Sequence, residues 1–171
     1  MQQGIAVMEP SRQEFRDAMA RLGAAVTIVT TDGPAGRVGI TASAVCSVTD
    51  SPPTLLVCMN RNSSLNPAVQ ANGVLCVNVL PGDAQELSNL FAGFTGADQV
   101  ARFAFGNWSS LVTGAPALEE AVAAIDCGVE EVVEKGTHSV VFAQVRAIRL
   151  GAQRPALIWF SRNYHPVGLP G

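Results

Sequence analysis

The sequence predicts a mainly β protein, an antiparallel barrel carrying a few peripheral helices. Three observations lead there. Apolar and β-branched runs recur along the chain between Gly, Pro and Asp turn signals. From Ala117 onward the strand patterns follow one another with no helix between them, and the helical patterns elsewhere are short. Strands that succeed one another without crossover helices pair antiparallel, and closure into a barrel removes the edges an open sheet would expose. At 171 residues the chain has the length of one domain, so residues 1–171 are read as a single unit with its core within 11–167.

Taken in order, Ser11 and Glu14 form a Ser-x-x-Glu capping box after Pro10. Phe15, Ala18, Met19 and Leu22 then recur at helical spacing, and Gly23 is placed to end that helix. Residues 26–31 form a β-branched strand, and Asp32-Gly33-Pro34-Ala35-Gly36 turns it into a hairpin partner over 38–48. Ser51-Pro52-Pro53 breaks the chain before a strand at 54–59, whose unbroken apolar character predicts burial on both faces. Asn66-Pro67 has the form of an N-cap followed by Pro at the first helical position, with Gly73 ending a short helix. A buried strand follows at 74–80. Asp83 and Glu86 read as a second capping pair, with Leu87, Leu90 and Phe91 on one helix face and Gly93 at its end. A short helix at 99–103 precedes a loop or edge strand carrying Trp108. Strands near 121–133 and 138–150, joined at Glu134-Lys135-Gly136, and a last strand at 156–160 complete the meander.

Composition narrows the function classes. Apolar residues make up 48% of the chain and charged residues 15%, against the roughly 25% charged of an average domain. A domain of this size has a high surface-to-volume ratio, so surplus apolar surface predicts a covering partner, a homodimer first. The net charge of −3 and scattered basic residues leave no footprint for nucleic acid. No apolar run is long enough to span a bilayer, and Met1-Gln2-Gln3-Gly4 lacks the features of a signal peptide, so a cytoplasmic protein without membrane contact is expected. Cys46, Cys58, Cys76 and Cys127 show no Cys-x-x-Cys spacing and lie in or beside apolar stretches. They read as buried thiols in a reducing compartment, and with only His138 and His165 available no metal site is expected.

Dinucleotide-fold, P-loop and hydrolase-elbow motifs are absent from the sequence. Glu119-Glu120 and Glu130-Glu131 read as solvated faces rather than an acid and base pair. Three positive features stand out. In Gly39-Ile40-Thr41-Ala42-Ser43-Ala44-Val45, small and hydroxylated residues replace bulky ones. Either the backbone there hydrogen-bonds the edge of a flat heterocycle, or the strand packs closely on a helix or a dimer mate. Asn60-Arg61-Asn62-Ser63-Ser64-Leu65-Asn66-Pro67 leads into a helix start, where it either cradles a phosphate or simply caps the helix. Gly136-Thr137-His138 places an imidazole near a hairpin tip, in a structural role or hydrogen-bonding a carboxamide. The aromatic tail Trp159-Phe160 and Tyr164-His165-Pro166 either covers a ring system or packs in a core or dimer contact.

In order and spacing these stretches resemble a known family. The segments Gly39-Ile40-Thr41-Ala42-Ser43-Ala44-Val45-Cys46-Ser47-Val48-Thr49-Asp50, Asn62-Ser63-Ser64-Leu65-Asn66-Pro67, Leu75-Cys76-Val77-Asn78-Val79-Leu80, Phe91-Ala92-Gly93 and Gly136-Thr137-His138 are similar to the short-chain flavin reductases of two-component monooxygenases. Within that family the resemblance is greatest to the reductase component of 4-hydroxyphenylacetate 3-monooxygenase. It implies a Greek-key, FMN-binding split β-barrel that dimerises and holds flavin near the dimer interface. By position, Thr41, Ala42, Ser43 and Val45 would line the isoalloxazine, while Cys58, Asn60, Ser63, Ser64 and Asn66 would run toward the ribityl chain and phosphate. Phe91 and Arg102 would lie near the flavin's far end, Tyr164 would join the cofactor-binding set, and His138 would face the nicotinamide. Residues 106–115 depart from the family pattern.

The implied reaction is hydride transfer from NADH, with NADPH open, to FMN or FAD. The reduced flavin would pass to a separate monooxygenase that hydroxylates an aromatic such as 4-hydroxyphenylacetate. The alternatives are a reductase serving a pyrimidine-ring-opening monooxygenase, and a non-catalytic FMN-binding module. Because the two cofactors carry the chemistry, the protein's task is positioning, which accords with the missing acid and base pair. His138→Ala is expected to raise the apparent KM for NADH more than it weakens flavin binding; steady-state kinetics with each substrate varied checks this, and equal losses count against the role.

Overall fold

The computed structural model describes residues 9–168. The chain runs α1 (Arg12–Met19), β1 (Ala24–Ala25), β2 (Thr27–Thr31), β3 (Val38–Ala42), β4 (Val45–Asp50), β5 (Pro53–Asn60), α2 (Leu65–Asn72) and β6 (Val74–Val79). It continues through α3 (Gln85–Phe91), α4 (Gln99–Phe103), β7 (Trp108–Ser110), β8 (Pro116–Leu118), β9 (Ala123–Lys135), β10 (His138–Leu150), β11 (Ala156–Phe160) and β12 (Asn163–Val167). The mainly β, antiparallel architecture expected from the sequence is the one observed.

The main sheet has the order β3-β2-β6-β9-β10-β5-β4. Its two edge strands are neighbours in the chain, joined only through Ser43 and Ala44. A link that short spans opposite edges only if the sheet rolls until they come near each other; the Cys58 N–H donates to the Ala44 carbonyl at 3.0 Å, carrying the β4–β5 register one residue into the link. The expected continuous strand at 38–48 is therefore two strands. Ala42 pairs with Thr27 at one edge and Val45 with Val57 at the other, so the residues between must leave the ladder to change partners. Register shifts at Phe142/Ala143 and Val145/Ala147 interrupt the long β9–β10 hairpin. Such bulges bend a strand locally and help it follow a curved sheet.

Alternation sorts the side chains. Leu55, Val57 and Met59 of β5 point inward with Val29, Leu75, Val77, Cys127 and Val141, and Leu65 and Val69 of α2 join that core. Leu56 and Cys58 are half-buried and Asn60 is exposed, so β5 is not buried on both faces as its apolar run suggested. A second core of Val26, Ile28, Leu80, Leu90, Phe91, Leu118 and Leu157 forms where α3, β8 and β11 cover the barrel's outer wall. Phe91, Phe103 and Trp108 form an aromatic knot there, with ring centroids 5.0–5.5 Å apart.

Local signals fare unevenly. The Ser11–Glu14 capping box forms in both directions, yet α1 ends at Met19 with Ala20 as its cap, before Gly23. Asn66 does not cap α2, which begins at Leu65, because its side chain is drawn into the core by Ser139. Gly73 ends α2 in the left-handed conformation, φ 70°. Asp83 and Glu86 make no cap; Ala84 stands at the N-cap of α3 without a side-chain bond. Trp108 lies on a short strand paired with β8. The loop that follows is pinned by buried Asp126, which accepts from the Val112 and Thr113 N–H groups at 2.8 Å each and from the Thr113 hydroxyl.

β12 was not foreseen, since Pro166 argues against a strand; it lies at the edge of the β1-β11-β12 sheet, where Pro is tolerated. Among the described residues no helix is long and apolar enough to cross a membrane.

Gly39 sits where β3 crosses the aromatic knot. A Cβ there would stand 2.8 Å from Phe91 and 3.0 Å from Phe103. Gly39→Ala is expected to lower stability by about 1–3 kcal/mol through overpacking. Urea unfolding reads this directly, and an unchanged midpoint would show that the knot yields.

Candidate functional site

The link between β3 and β4 also borders a large cleft. Ser43, Ala44, Val45 and Cys58 line an opening of about 1030 Å³, with Trp159 and the apolar side of α1 as further walls. On the other side of the same segment, Thr41, Ala42 and Ser43 border a smaller cavity of about 160 Å³ closed by Ser88, Trp159 and Tyr164. Ser43 lines both spaces, and small residues along this segment leave its backbone open to close approach. Ser43 and Ala44 lie between the two ladders; Ala44 gives its carbonyl to Cys58, and neither residue's N–H group meets an acceptor among the described residues. They are free donors at the cleft.

The Thr41 hydroxyl is not free. It donates to the Ser88 carbonyl at 2.6 Å and ties β3 to α3. Thr27 does the same for the next turn of chain, donating to the Ala42 carbonyl at 2.7 Å. Tyr164 completes the brace: its hydroxyl lies 2.9 Å from both Ser88 Oγ and Asn89 Oδ1, and its ring packs edge-on against Trp159. The aromatic tail thus walls the small cavity. Sequence reasoning missed Ser88 and Asn89 because the contact joins residues 75 and 76 positions apart.

Period-two alternation carries Leu56, Cys58 and Asn60 along one face of β5, from the cleft toward the start of α2. There the two sequence readings separate. Neither Asn66 nor Ser64 caps the helix; Ser64 occupies the N-cap with no side-chain bond. A helix start with open N–H groups and an exposed serine hydroxyl attracts an anion. The loop before it is ordered from within: the Asn60 carbonyl accepts from the Ser63 N–H at 3.0 Å and the Ser63 hydroxyl at 2.7 Å, and Asn60 Oδ1 accepts from the Asn62 N–H at 2.8 Å. His138 is directly across the ladder from Asn60, exposed, with Nδ1 2.9 Å from the Thr137 hydroxyl.

Three residues expected at the site are placed elsewhere. Phe91 is 1% exposed inside the aromatic knot, and its ring supports β3 from behind. Arg102 spends its guanidinium on the carbonyls of Ala97, Phe91 and Gly39, fastening α4 to α3 and β3. Asn66 is buried beneath the loop. Each sits behind a wall of the site instead of in it.

The thiols divide likewise. Cys76 and Cys127 are buried, Cys58 is half-buried at the cleft and Cys46 is exposed, so burial of all four does not hold. Burial first, then the neighbouring Asp126 charge, pushes the Cys127 thiol up to about 12 and Cys76 higher still.

Free donors on a small-residue wall, a largely apolar cleft and an uncapped helix start at the end of one strand face fit an elongated ligand with a flat ring at one end and a phosphate at the other. The flavin reductase like domain model matches residues 19–168. The chain is 60% identical over 157 residues to the FMN reductase (NADH) RutF of Ancylobacter novellus, covering 92% of this chain and 86% of that protein. It is 57% identical over 159 residues to the protein of the same name from Variovorax paradoxus, covering 93% and 87%. The crystal structure of a putative flavin reductase from Haemophilus somnus superposes with a TM-score of 0.88 at 44% identity, covering 92% of this chain and all of that one.

Cys58 reports on occupancy of the cleft. At pH 8 iodoacetamide is expected to spare Cys76 and Cys127, and saturating FMN to slow alkylation of Cys58. Peptide mass spectrometry follows each thiol; a Cys58 rate indifferent to FMN would remove that residue from the flavin site.

Proposed function

This chain belongs to the flavin reductase family, and on that premise we propose that it binds FMN along the face running from Ser43 through Cys58 to Ser64 and reduces it with NADH. It is an NADH:flavin oxidoreductase. The observation that supports the binding mode is the pairing of free donors at Ser43 and Ala44 with an uncapped helix start at Ser64, on one strand face. The Ser43 and Ala44 N–H groups would meet the electron-rich pyrimidine edge of the flavin, and the α2 start would meet its phosphate. Flavin and nicotinamide supply the hydride chemistry themselves when bound. What the chain contributes is orientation: the Thr41–Ser88–Tyr164 brace holds the ring wall, and His138 would present an imidazole to the nicotinamide carboxamide.

FMN is favoured over FAD, and NADH over NADPH, by the names that the relatives at 57–60% identity carry. Those names differ from that of a 4-hydroxyphenylacetate reductase, so we place the separate monooxygenase that receives reduced flavin in the alternative, pyrimidine-ring-opening class. The chain would act in the cytoplasm as a homodimer of single-domain subunits. Phe15 and Leu22, 61% and 63% exposed beside the cleft, are the apolar surface a second copy would cover.

Two measurements test this reading. Following NADH absorbance in air, FMN should support faster oxidation than FAD; absence of any flavin-dependent oxidation would end the catalytic assignment. Phe15→Asp and Leu22→Asp together should shift the mass from light scattering from dimer toward monomer, and a monomeric native protein would remove the homodimer.

A further inference from the structure

We propose that Ser139 and Glu134 are positioning residues that, through Asn66 and Arg61, lock the hairpin tip carrying His138 onto the loop at the start of α2. The proposal rests on the reading that places His138 at the nicotinamide. Residues 134–138 are all exposed, so no packing from above sets the direction of the tip. A chain of hydrogen bonds from below does.

At the buried end Asn66 Oδ1 accepts from Gln70 at 2.6 Å, which turns Nδ2 toward Ser139 Oγ at 2.7 Å. Ser139 is fully buried. Having accepted from Asn66, its hydroxyl has one proton, which it donates to Glu134 Oε1 at 2.8 Å. The other carboxylate oxygen, Oε2, pairs with Arg61 Nε at 3.0 Å. Arg61 then returns to the tip twice. Its backbone N–H donates to the Thr137 carbonyl at 3.0 Å, and Nη1 to the Gly136 carbonyl at 3.4 Å. With a pure donor at each end, the Asn66 amide nitrogen and the Arg61 guanidinium, every bond in the chain has one possible direction. The ion pair alone is half-exposed and weak. Its continuity with a buried amide is what makes it directional.

The loop at 60–64 does not need this chain, because Asn60 closes it from within through Asn62 and Ser63. Apart from this chain the tip is held by the hairpin ladder, the pairing of His138 with Asn60, the Arg61 N–H on the Thr137 carbonyl and the Thr137–His138 contact, none of which fixes the Arg61 side chain. Breaking the chain at Glu134 therefore releases the Arg61 side chain from the tip and leaves the direction of the His138 imidazole to backbone ties alone, while Ser63 and Ser64 stay in place. The loss falls on NADH and spares flavin.

The test is steady-state kinetics on the purified full chain carrying Glu134→Ala, Glu134→Gln, His138→Ala, and the Glu134→Ala/His138→Ala pair. Glu134→Ala is expected to raise KM for NADH about fivefold, with kcat and KM for FMN within about twofold of the native values. Glu134→Gln keeps an acceptor for Ser139 but turns an amide N–H toward the Arg61 guanidinium, so it breaks the chain at the same point and should raise KM for NADH as Glu134→Ala does. In the His138→Ala background Glu134→Ala should add less than about twofold. An unchanged KM for NADH in Glu134→Ala, while His138→Ala raises it, overturns the lock and leaves His138 at the nicotinamide. A full effect in the His138→Ala background, an equal rise in KM for FMN, or a native KM for NADH in Glu134→Gln overturns the chain as the cause. Indifference of KM for NADH to His138→Ala itself defeats the underlying placement, and the lock with it.

Discussion

Two residues, Ser43 and Ala44, join the opposite edges of a seven-stranded sheet, and the rest of the molecule follows from that joint. The sheet must roll because the link is too short to reach around it. Rolling brings β3 toward β4, the Ala44 carbonyl takes the Cys58 N–H next to the β4–β5 ladder, and the joint's own N–H groups are left without an acceptor among the described residues, beside the cleft. Ser43 borders both the cleft and the small cavity, so small residues at the joint keep its backbone accessible from either side. The same geometric constraint closes the fold and creates the donors of the site.

The side chains with hydrogen-bonding groups around that joint mostly serve the frame. Thr27 and Thr41 donate to carbonyls on neighbouring segments, Arg102 fastens three carbonyls, and Tyr164 braces α3. Backbone amides and a helix start remain for the ligand. A reaction in which two cofactors exchange a hydride asks the protein for placement, and placement is best supplied by groups that cannot rotate away. The absence of an acid and base pair in the sequence and the prominence of backbone donors in the structure are two views of one requirement.

What was legible in the sequence was local. The β-branched and apolar runs marked most strands, the Ser11–Glu14 box formed as expected, and Gly73 ended α2. Readings that needed a non-local partner went astray. Asn66 has the identity and spacing of a cap, but Ser139, 73 residues away, captures its amide. Residues 38–48 read as one strand since nothing local marks Ser43 as the place where pairing changes edges. The apolar run of β5 implied burial on both faces, whereas its outward face opens on the cleft. Phe91 and Arg102 were expected beside the ligand, and packing from α4 and β7 puts them behind the wall.

By itself the sequence determined the β-rich class, the approximate strand limits, the small-residue segment and serine loop as points of interest, and the family to which they belong. Those properties are written in runs of neighbouring residues, where propensity, alternation and spacing act. Only the tertiary structure decided which N–H groups stay unpaired, which candidate side chains are consumed by the frame, and that the His138 tip shares a hydrogen-bonded chain with the loop at the start of α2. The reason is physical: a donor is free, or a cap unused, only relative to every acceptor that folding brings within reach, and those partners lie tens of residues away along the chain.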